Sequence, residues 1–397
     1  MMRLLSSLVL VASLAFAVSD KLASIPPAQS IFIDLSTDTC DASCLQDLAQ
    51  NEQYFTFLSL YDPALGNDTT KELYTTLNVA FRIDAQGSTK AVKIALLVPQ
   101  KRIRGYAMTT VNTVNAYLLY RNHHYELEVF NSMDETPEAL QKELDAIRAK
   151  KFTYVIAPLT QEGANYLVDH SEGLTVYIPT VHKSLVNHSP SNVLFGGIDY
   201  QHQIETLNQF ANSNVSTFSD GSLLGQSLDQ MVKDVAPAIR YHQEIQNSKV
   251  SFKAMLKDNV KLMDSSIFLN MPLVKTSLLA SQLRVYGIEP HALLSTQINY
   301  HPMLLTLTQY EDRKELYIGN AIDFVPGELR VMNALLGHSI EYDWVNYATS
   351  IGIDHFYSHY FNAGSTPLFK ETILDGQVQY KTLIMKADRY RFYSLAQ

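Results

Sequence analysis

Residues 92–100, VKIALLVPQ, form a near-continuous apolar run bounded by Lys93 and Pro99. Such a run predicts a strand buried on both faces, the habit of a parallel sheet covered by helices. Residues 103–122 follow with Ala107, Val111, Val114, Tyr117 and Leu118 at three- and four-residue intervals. That spacing predicts a helix with one apolar face to lay on the sheet.

The alternation then repeats. Strands are expected at 125–130, 153–158, 174–179 and 192–198, with helices at 136–151 and 161–170. Thr136 is placed as an N-cap and Pro137 at the first helical position. A second series predicts helices at 201–211, 222–235, 252–256, 273–286 and 302–310, and strands at 215–218, 239–245, 265–270, 291–296 and 315–322. Two further helices, 328–336 and 342–360, precede strand-like segments at 368–373 and 378–386 around an Asp375-Gly376 turn. The two series share an order of elements, which points to related halves. Residues 18–90 do not alternate in this way: 41–50 and 53–61 read as short helices, 73–83 fits a helix or a strand, and 85–88 (AQGS) has linker composition.

The expected architecture is therefore α/β, two doubly wound lobes behind a small, mainly helical N-terminal appendage. The expected divisions are a signal peptide at 1–17, the appendage at 18–90, one lobe from 91–200 plus 318–363, and the other from 201–317 plus 364–397.

Composition narrows the function. A formal charge of −9 without a sizeable basic block argues against nucleic acid. Arg3, the apolar run 8–16 and Ala15-Phe16-Ala17 match a cleavable export signal, so the mature chain is expected in the periplasm. No stretch approaches the roughly 20 apolar residues that span a bilayer. Cys40 and Cys44, the two cysteines, are expected to pair in that oxidising compartment, stapling the start of a helix capped by Asp41. C-x-x-x-C is neither the C-x-x-C redox spacing nor a four-ligand zinc set.

From about residue 91 to 390 the chain resembles the type I periplasmic solute-binding fold. Within that fold it looks most like the C-terminal domain of the lipoprotein activator of penicillin-binding proteins. The resemblance is carried by IALLVPQ, YVIAPLT, IPTVHKS, NVLFGGIDYQHQIETL, SSIFLNMP, ALLSTQI, LYIGNAID and IGIDHFYSHYF, in this order and spacing. It implies a cleft between lobes at the carboxyl ends of the strands, where helix N-termini offer backbone N–H groups. In the amino-acid-binding relatives, hydroxyls and amides hold the ligand carboxylate and an acid holds its amine. Thr160, Thr180 and Ser184 are the hydroxyls at matching positions, and Asp199 is the acid. Thr160 and Asp199 are equally placed to cap the helices that follow them. Arg102 and Arg104, with Lys101, put long cationic side chains on the loop after the first strand, where they would fill the cleft, take an anion or form a solvated rim.

No catalytic constellation, cofactor site or metal site is expected. His355 and His359, four apart beside Asp354, lack the glutamate of the H-E-x-x-H zinc pattern. The 23 tyrosines, several of them late in the chain, lean slightly toward an interaction surface. Two functions fit. One is a non-catalytic docking or regulatory module with a protein partner in the cell envelope; the other is a receptor feeding a small anionic or amino-acid-like solute, or a peptidoglycan fragment, to a transporter.

Overall fold

The computed structural model describes residues 40–81, 92–246 and 251–395. The expected signal peptide and the 85–88 linker lie outside the described residues. The chain divides into two compact units, residues 1–89 and 90–397.

The described residues of the first unit form three helices, α1 (Ala42–Gln50), α2 (Tyr54–Leu60) and α3 (Asp68–Phe81). The ambiguous 73–83 stretch is therefore helical as far as Phe81, and its last two positions lie outside the described residues. Leu45, Phe57 and Leu77 form its small core, and Tyr61 stacks on Tyr74 with ring centroids 3.9 Å apart. The Asp41 side chain accepts the Cys44 N–H at 2.9 Å, capping α1. Cys40 and Cys44 are disulfide-bonded with Cα atoms 5.4 Å apart. So short a loop stabilises by about 2 kcal/mol in the chain-entropy account. Replacing both cysteines by alanine is expected to lower the stability of this unit by no more than that, read as the helical signal of the isolated segment under urea.

The second unit is built on two seven-stranded sheets. The first runs in the order β11 (Thr372–Leu374), β12 (Gln377–Gln379), β5 (Val193–Phe195), β4 (Thr175–Ile178), β3 (Tyr154–Ile156), β1 (Val92–Leu97), β2 (Tyr125–Phe130). The second runs β14 (Phe392–Ser394), β13 (Leu383–Ala387), β10 (Leu316–Asn320), β9 (Ala292–Ser295), β8 (Ser266–Asn270), β6 (Val215–Ser219), β7 (Ile239–Glu244). The parallel parts, β2-β1-β3-β4-β5 and β7-β6-β8-β9-β10, have the same winding, which makes the halves equivalent in topology.

Burial of β1 on both faces explains its apolar run. Ile94 and Leu96 join a core with α5 (Gly105–Arg121) and α15 (Trp344–Phe356), including Val114, Tyr117, Tyr347 and Phe356. Ala95 and Leu97 face the other way, onto α6 (Pro137–Ala149) and α7 (Gln161–Asp169), with Leu140, Leu144 and Leu167. Each of the leucines, isoleucines, valines and phenylalanines among them contributes roughly 1.5–3 kcal/mol on leaving water. Lys93, the one exposed position of β1, pairs with Glu126 of β2.

Several elements differ from the sequence expectation. The helix after β1 is broken at Arg104, whose φ of +48° separates α4 (Gln100–Ile103) from α5. The helix expected at 302–310 is two, α12 (Met303–Leu307) and α13 (Tyr310–Arg313), split where Gln309 and Asp312 form a reciprocal capping box. The single strand expected at 378–386 is β12 and β13, in different sheets. Consequently residues 364–379, expected with the 201–317 lobe, carry strands of the first sheet, and β10, which the expected division at 317/318 would cut, lies whole in the second. The cause is pairing: Phe195 N–H donates to Gly376 at 2.7 Å and Gln377 registers with Phe195, which fastens the β11–β12 hairpin to β5. Asp375 and Gly376 make its tight turn, with φ of +51° and +78°.

Candidate functional site

The carboxyl ends of β1, β3 and β4 meet in a polar cluster whose centre is Glu135, a residue the sequence did not single out. Glu135 is 2% exposed. Its carboxylate accepts the Thr160 N–H at 2.8 Å and also the Thr160 hydroxyl. Thr160 is the N-cap residue of α7, but its side chain makes no capping bond; an acid from the loop after β2 sits at that helix end instead. Gly163 makes the room: a Cβ there would lie 2.7 Å from the Glu135 Cδ.

Arg102 reaches into the same cluster. Its guanidinium lies 2.7 Å from Glu162, 3.7 Å from Asp134 and 3.9 Å from Glu135. The Thr180 hydroxyl donates to the carbonyl of Leu159, the residue before Thr160. Arg102, Thr160 and Thr180 thus come together: the two threonines spend their hydroxyls within the protein, and Arg102, still 42% exposed, pairs with the surrounding carboxylates through Nε and Nη2. Arg104 does not join them; it is exposed at the break between α4 and α5.

Ser184 and Asp199 belong to a second grouping on the far side of β4. The Ser184 hydroxyl lies 2.8 Å from His182 Nδ1, which also receives the Ser184 N–H at 3.2 Å. Burial lowers the His182 pKa, partly opposed by the nearby Asp199 carboxylate. Asp199 caps α8 (Tyr200–Asn208) by accepting the His202 N–H at 2.9 Å. Of the two roles open to Thr160 and Asp199, capping is realised by the Asp199 side chain only.

Three crossings carry the chain between the sheets, at residues 196–199, 321–326 and 380–382. Glutamines bind them. Gln297 donates its N–H to Gln203 Oε1 at 3.0 Å and accepts the Ala321 N–H at 2.7 Å. Gln377 accepts the Lys183 N–H at 2.8 Å and donates to the Gly197 carbonyl at 3.1 Å. Beside the three crossings lies a cavity of about 270 Å³, to which Asp199, Ala321 and Tyr380 contribute together with His182 and Gln203. Nothing in the local pattern marks Glu135, Gln203 or Gln377; all three act across large sequence separations.

The His355 and His359 rings lie with centroids 4.0 Å apart and tilted by 30°, and burial together with the neighbouring ring lowers the His355 pKa to about 4. Asp354 turns away from them, to Arg121 and the backbone of Leu368 and Phe369. Among the described residues no group of three or more His, Cys, Asp or Glu side chains is arranged to hold a metal ion, and no helix is long and apolar enough to cross a membrane. Of the late tyrosines, Tyr347 and Tyr357 are core residues, whereas Tyr390 is 85% exposed.

Two equivalent doubly wound lobes joined by three crossings define the type I periplasmic-binding class of fold. Solved structures of that class match the chain. A putative branched-chain amino acid ABC transporter protein from Rhodospirillum rubrum aligns with a TM-score of 0.61 at 12% identity, over 77% of this chain and 100% of that one. The leucine binding protein LivK from Thermotoga maritima aligns with a TM-score of 0.56 at 15% identity, over 77% and 98%. Full-length LpoA from Haemophilus influenzae aligns with a TM-score of 0.51 at 12% identity, over 89% of this chain and 65% of LpoA. At these identities the likeness is one of fold. No protein-family model and no curated protein matches the sequence.

Proposed function

We propose that the protein is a non-catalytic component of the cell envelope that uses a solute-binding-type fold as a protein docking or regulatory module. The observation that carries this reading is the internal occupation of the amino-acid-type donor set. The N–H and hydroxyl of Thr160 serve Glu135, the hydroxyl of Thr180 serves Leu159, and Arg102 is held among three carboxylates. A ligand carboxylate entering there would find the Thr160 donors already taken by Glu135 and would face three acidic side chains around Arg102.

The receptor reading keeps the support of the neighbouring amino-acid-binding structures. The two separate in one paired experiment: affinity purification of the tagged chain from envelope extracts, beside a thermal-shift screen of the common amino acids. A receptor gains about 2.7 kcal/mol at a hundredfold excess over Kd. The docking reading expects a defined protein partner and no amino-acid shift. A strong shift with no partner overturns it.

A further inference from the structure

β14 ends the second sheet, with β13 on one side and no strand on the other. Tyr393 registers with Lys386 and Ser394 with Met385. Two backbone bonds frame this pairing, Asp388 N–H to the Arg391 carbonyl at 2.9 Å and Leu395 N–H to the Ile384 carbonyl at 2.8 Å. Bonded positions alternate in an antiparallel pair, so Arg391, Tyr393 and Leu395 turn their peptide groups toward β13, and Phe392 and Ser394 turn theirs outward. No described residue supplies a hydrogen bond to the N–H or carbonyl of those two. Edge strands are ordinarily blunted by a lysine, a proline or a bulge, and β14, with the sequence FYS, has none of these.

The turn that leads into β14 is fixed from beneath. Arg313 is 2% exposed and makes no ion pair; its guanidinium donates to the Thr308 carbonyl at 2.5 Å and to the Asp388 and Arg389 carbonyls at 3.0 Å each. The Asp388 carboxylate accepts the N–H groups of Tyr390 at 2.7 Å and Arg391 at 2.8 Å. A desolvated cation is thus spent on ordering a surface turn. That turn presents Tyr390, 85% exposed, between Arg389 and Arg391. Tyrosine and arginine on a preorganised frame are the usual makings of a binding hot spot.

Charge and alternation decide the occupant. Arg389 pairs with no carboxylate among the described residues and lies 6.0 Å from the Tyr310 ring centroid. Arg391 is 81% exposed, its Nε 3.5 Å from Asp388. On a chain of net charge −9 this turn is a local cationic site, to which an acidic partner is steered. Along the strand, Arg391 and Tyr393 share one face. Phe392 lies on the other, its ring centroid 4.9 Å from that of Tyr300 and 6.3 Å from that of Tyr342. A strand laid beside β14 therefore meets charge and phenol on one face and aromatic surface on the other. An extended segment alternating acidic and aliphatic residues matches both.

We propose that β14 and the Arg389-Tyr390-Arg391 turn form a docking edge for an extended acidic segment of a partner protein, which joins the second sheet as a further strand. The inference deepens the docking reading and rests on it.

Fluorescence anisotropy of the full chain with a labelled peptide of alternating glutamate and valine tests it. A second peptide with proline in place of the valines keeps the charge and loses half of the N–H groups. Two variants accompany the parent. Ser394→Pro removes an outward N–H and no bond to β13; Arg389→Glu with Arg391→Glu reverses the charge of the turn. The expected result is saturable binding of the glutamate-valine peptide, slowed amide exchange at Phe392 and Ser394, and affinity lower by about tenfold or more in each variant. If Ser394→Pro lowers the urea midpoint, the charge-reversal variant decides.

Absence of binding at millimolar peptide, unchanged affinity in the charge-reversal variant, or equal binding of the proline peptide overturns the proposal. So does self-association of the chain that protects the same two amides, which assigns the edge to a second copy. Binding to phosphatidylglycerol vesicles without peptide binding also overturns it and assigns the turn to a lipid surface. Capture of one envelope partner by the parent and the charge-reversal variant alike leaves the docking reading standing and removes this edge as its site. Capture of no partner by either defeats the docking reading itself.

Discussion

Replacing Asp354 by alanine is expected to destabilise the two-sheet unit by about 3–5 kcal/mol, the range for removing one member of a buried charge pair. Asp354 is 2% exposed, near the end of α15. Its Oδ1 accepts from the Tyr117 hydroxyl and from Arg121 Nη2 at 2.8 Å, and its Oδ2 accepts the N–H groups of Leu368 at 2.8 Å and Phe369 at 3.2 Å. One carboxylate therefore ties α5, α15 and the segment leading into β11. Alanine leaves a guanidinium, a phenol and two backbone N–H groups without their acceptor in a region that admits little water. Arg121 also donates to the Thr366 carbonyl at 3.0 Å and lies over the Tyr357 ring, so it cannot swing out to solvent without losing both contacts. Asp354→Asn keeps an acceptor oxygen and should fall well short of the alanine effect. Urea denaturation followed by tryptophan fluorescence reads the difference, since Trp344, the one tryptophan, begins α15. Equal midpoints for the parent and the alanine variant would show that the network contributes nothing net.

This network also marks the limit of what the sequence discloses. Local pattern is enough where one element decides its own fate. The apolar run of β1, the Thr136-Pro137 start of α6 and the Asp375-Gly376 turn all follow from adjacent residues. The repeated strand and helix order foretells two equivalent sheets. What fails to show is allegiance. Residues 377–387 alternate without an obvious stop, yet Tyr380 to Thr382 carry the chain from one sheet to the other. That transfer depends on Phe195 and Gly376 pairing across a large sequence distance. The candidate site behaves alike. Thr160, Thr180 and Arg102 are recognisable by position, but the partner that consumes the Thr160 donors is Glu135, which reads in sequence as one more acid ahead of a helix. A carboxylate at a surface loop and one buried on a helix end have the same local spelling, and only packing separates them.

Gly197→Ala is the second large effect, expected to cost about 3 kcal/mol, the upper end of ordinary overpacking. Gly197 follows β5 at the first crossing and lies flat on the peptide joining Val181 to His182. A Cβ there would stand 2.1 Å from the Val181 carbonyl carbon and 2.2 Å from the His182 nitrogen. Both are backbone atoms, and no rotamer change relieves the contact. Nor can the opposing peptide retreat freely: Gly197 donates its N–H to the Val181 carbonyl at 3.1 Å, and Gln377 links the Gly197 carbonyl to the Lys183 N–H. A shift at Gly197 is thus passed to the third crossing, and the variant should show a changed spacing of the lobes in small-angle scattering as well as a lower urea midpoint. Gly105→Ala is the matched control. Gly105 opens α5 with nothing within 4 Å of the added carbon, so relief of unfolded-chain entropy makes it neutral or stabilising by up to about 1 kcal/mol. If Gly197→Ala behaves like Gly105→Ala, the crossings are looser than their hydrogen bonds indicate, and the restraint of the lobes must reside elsewhere.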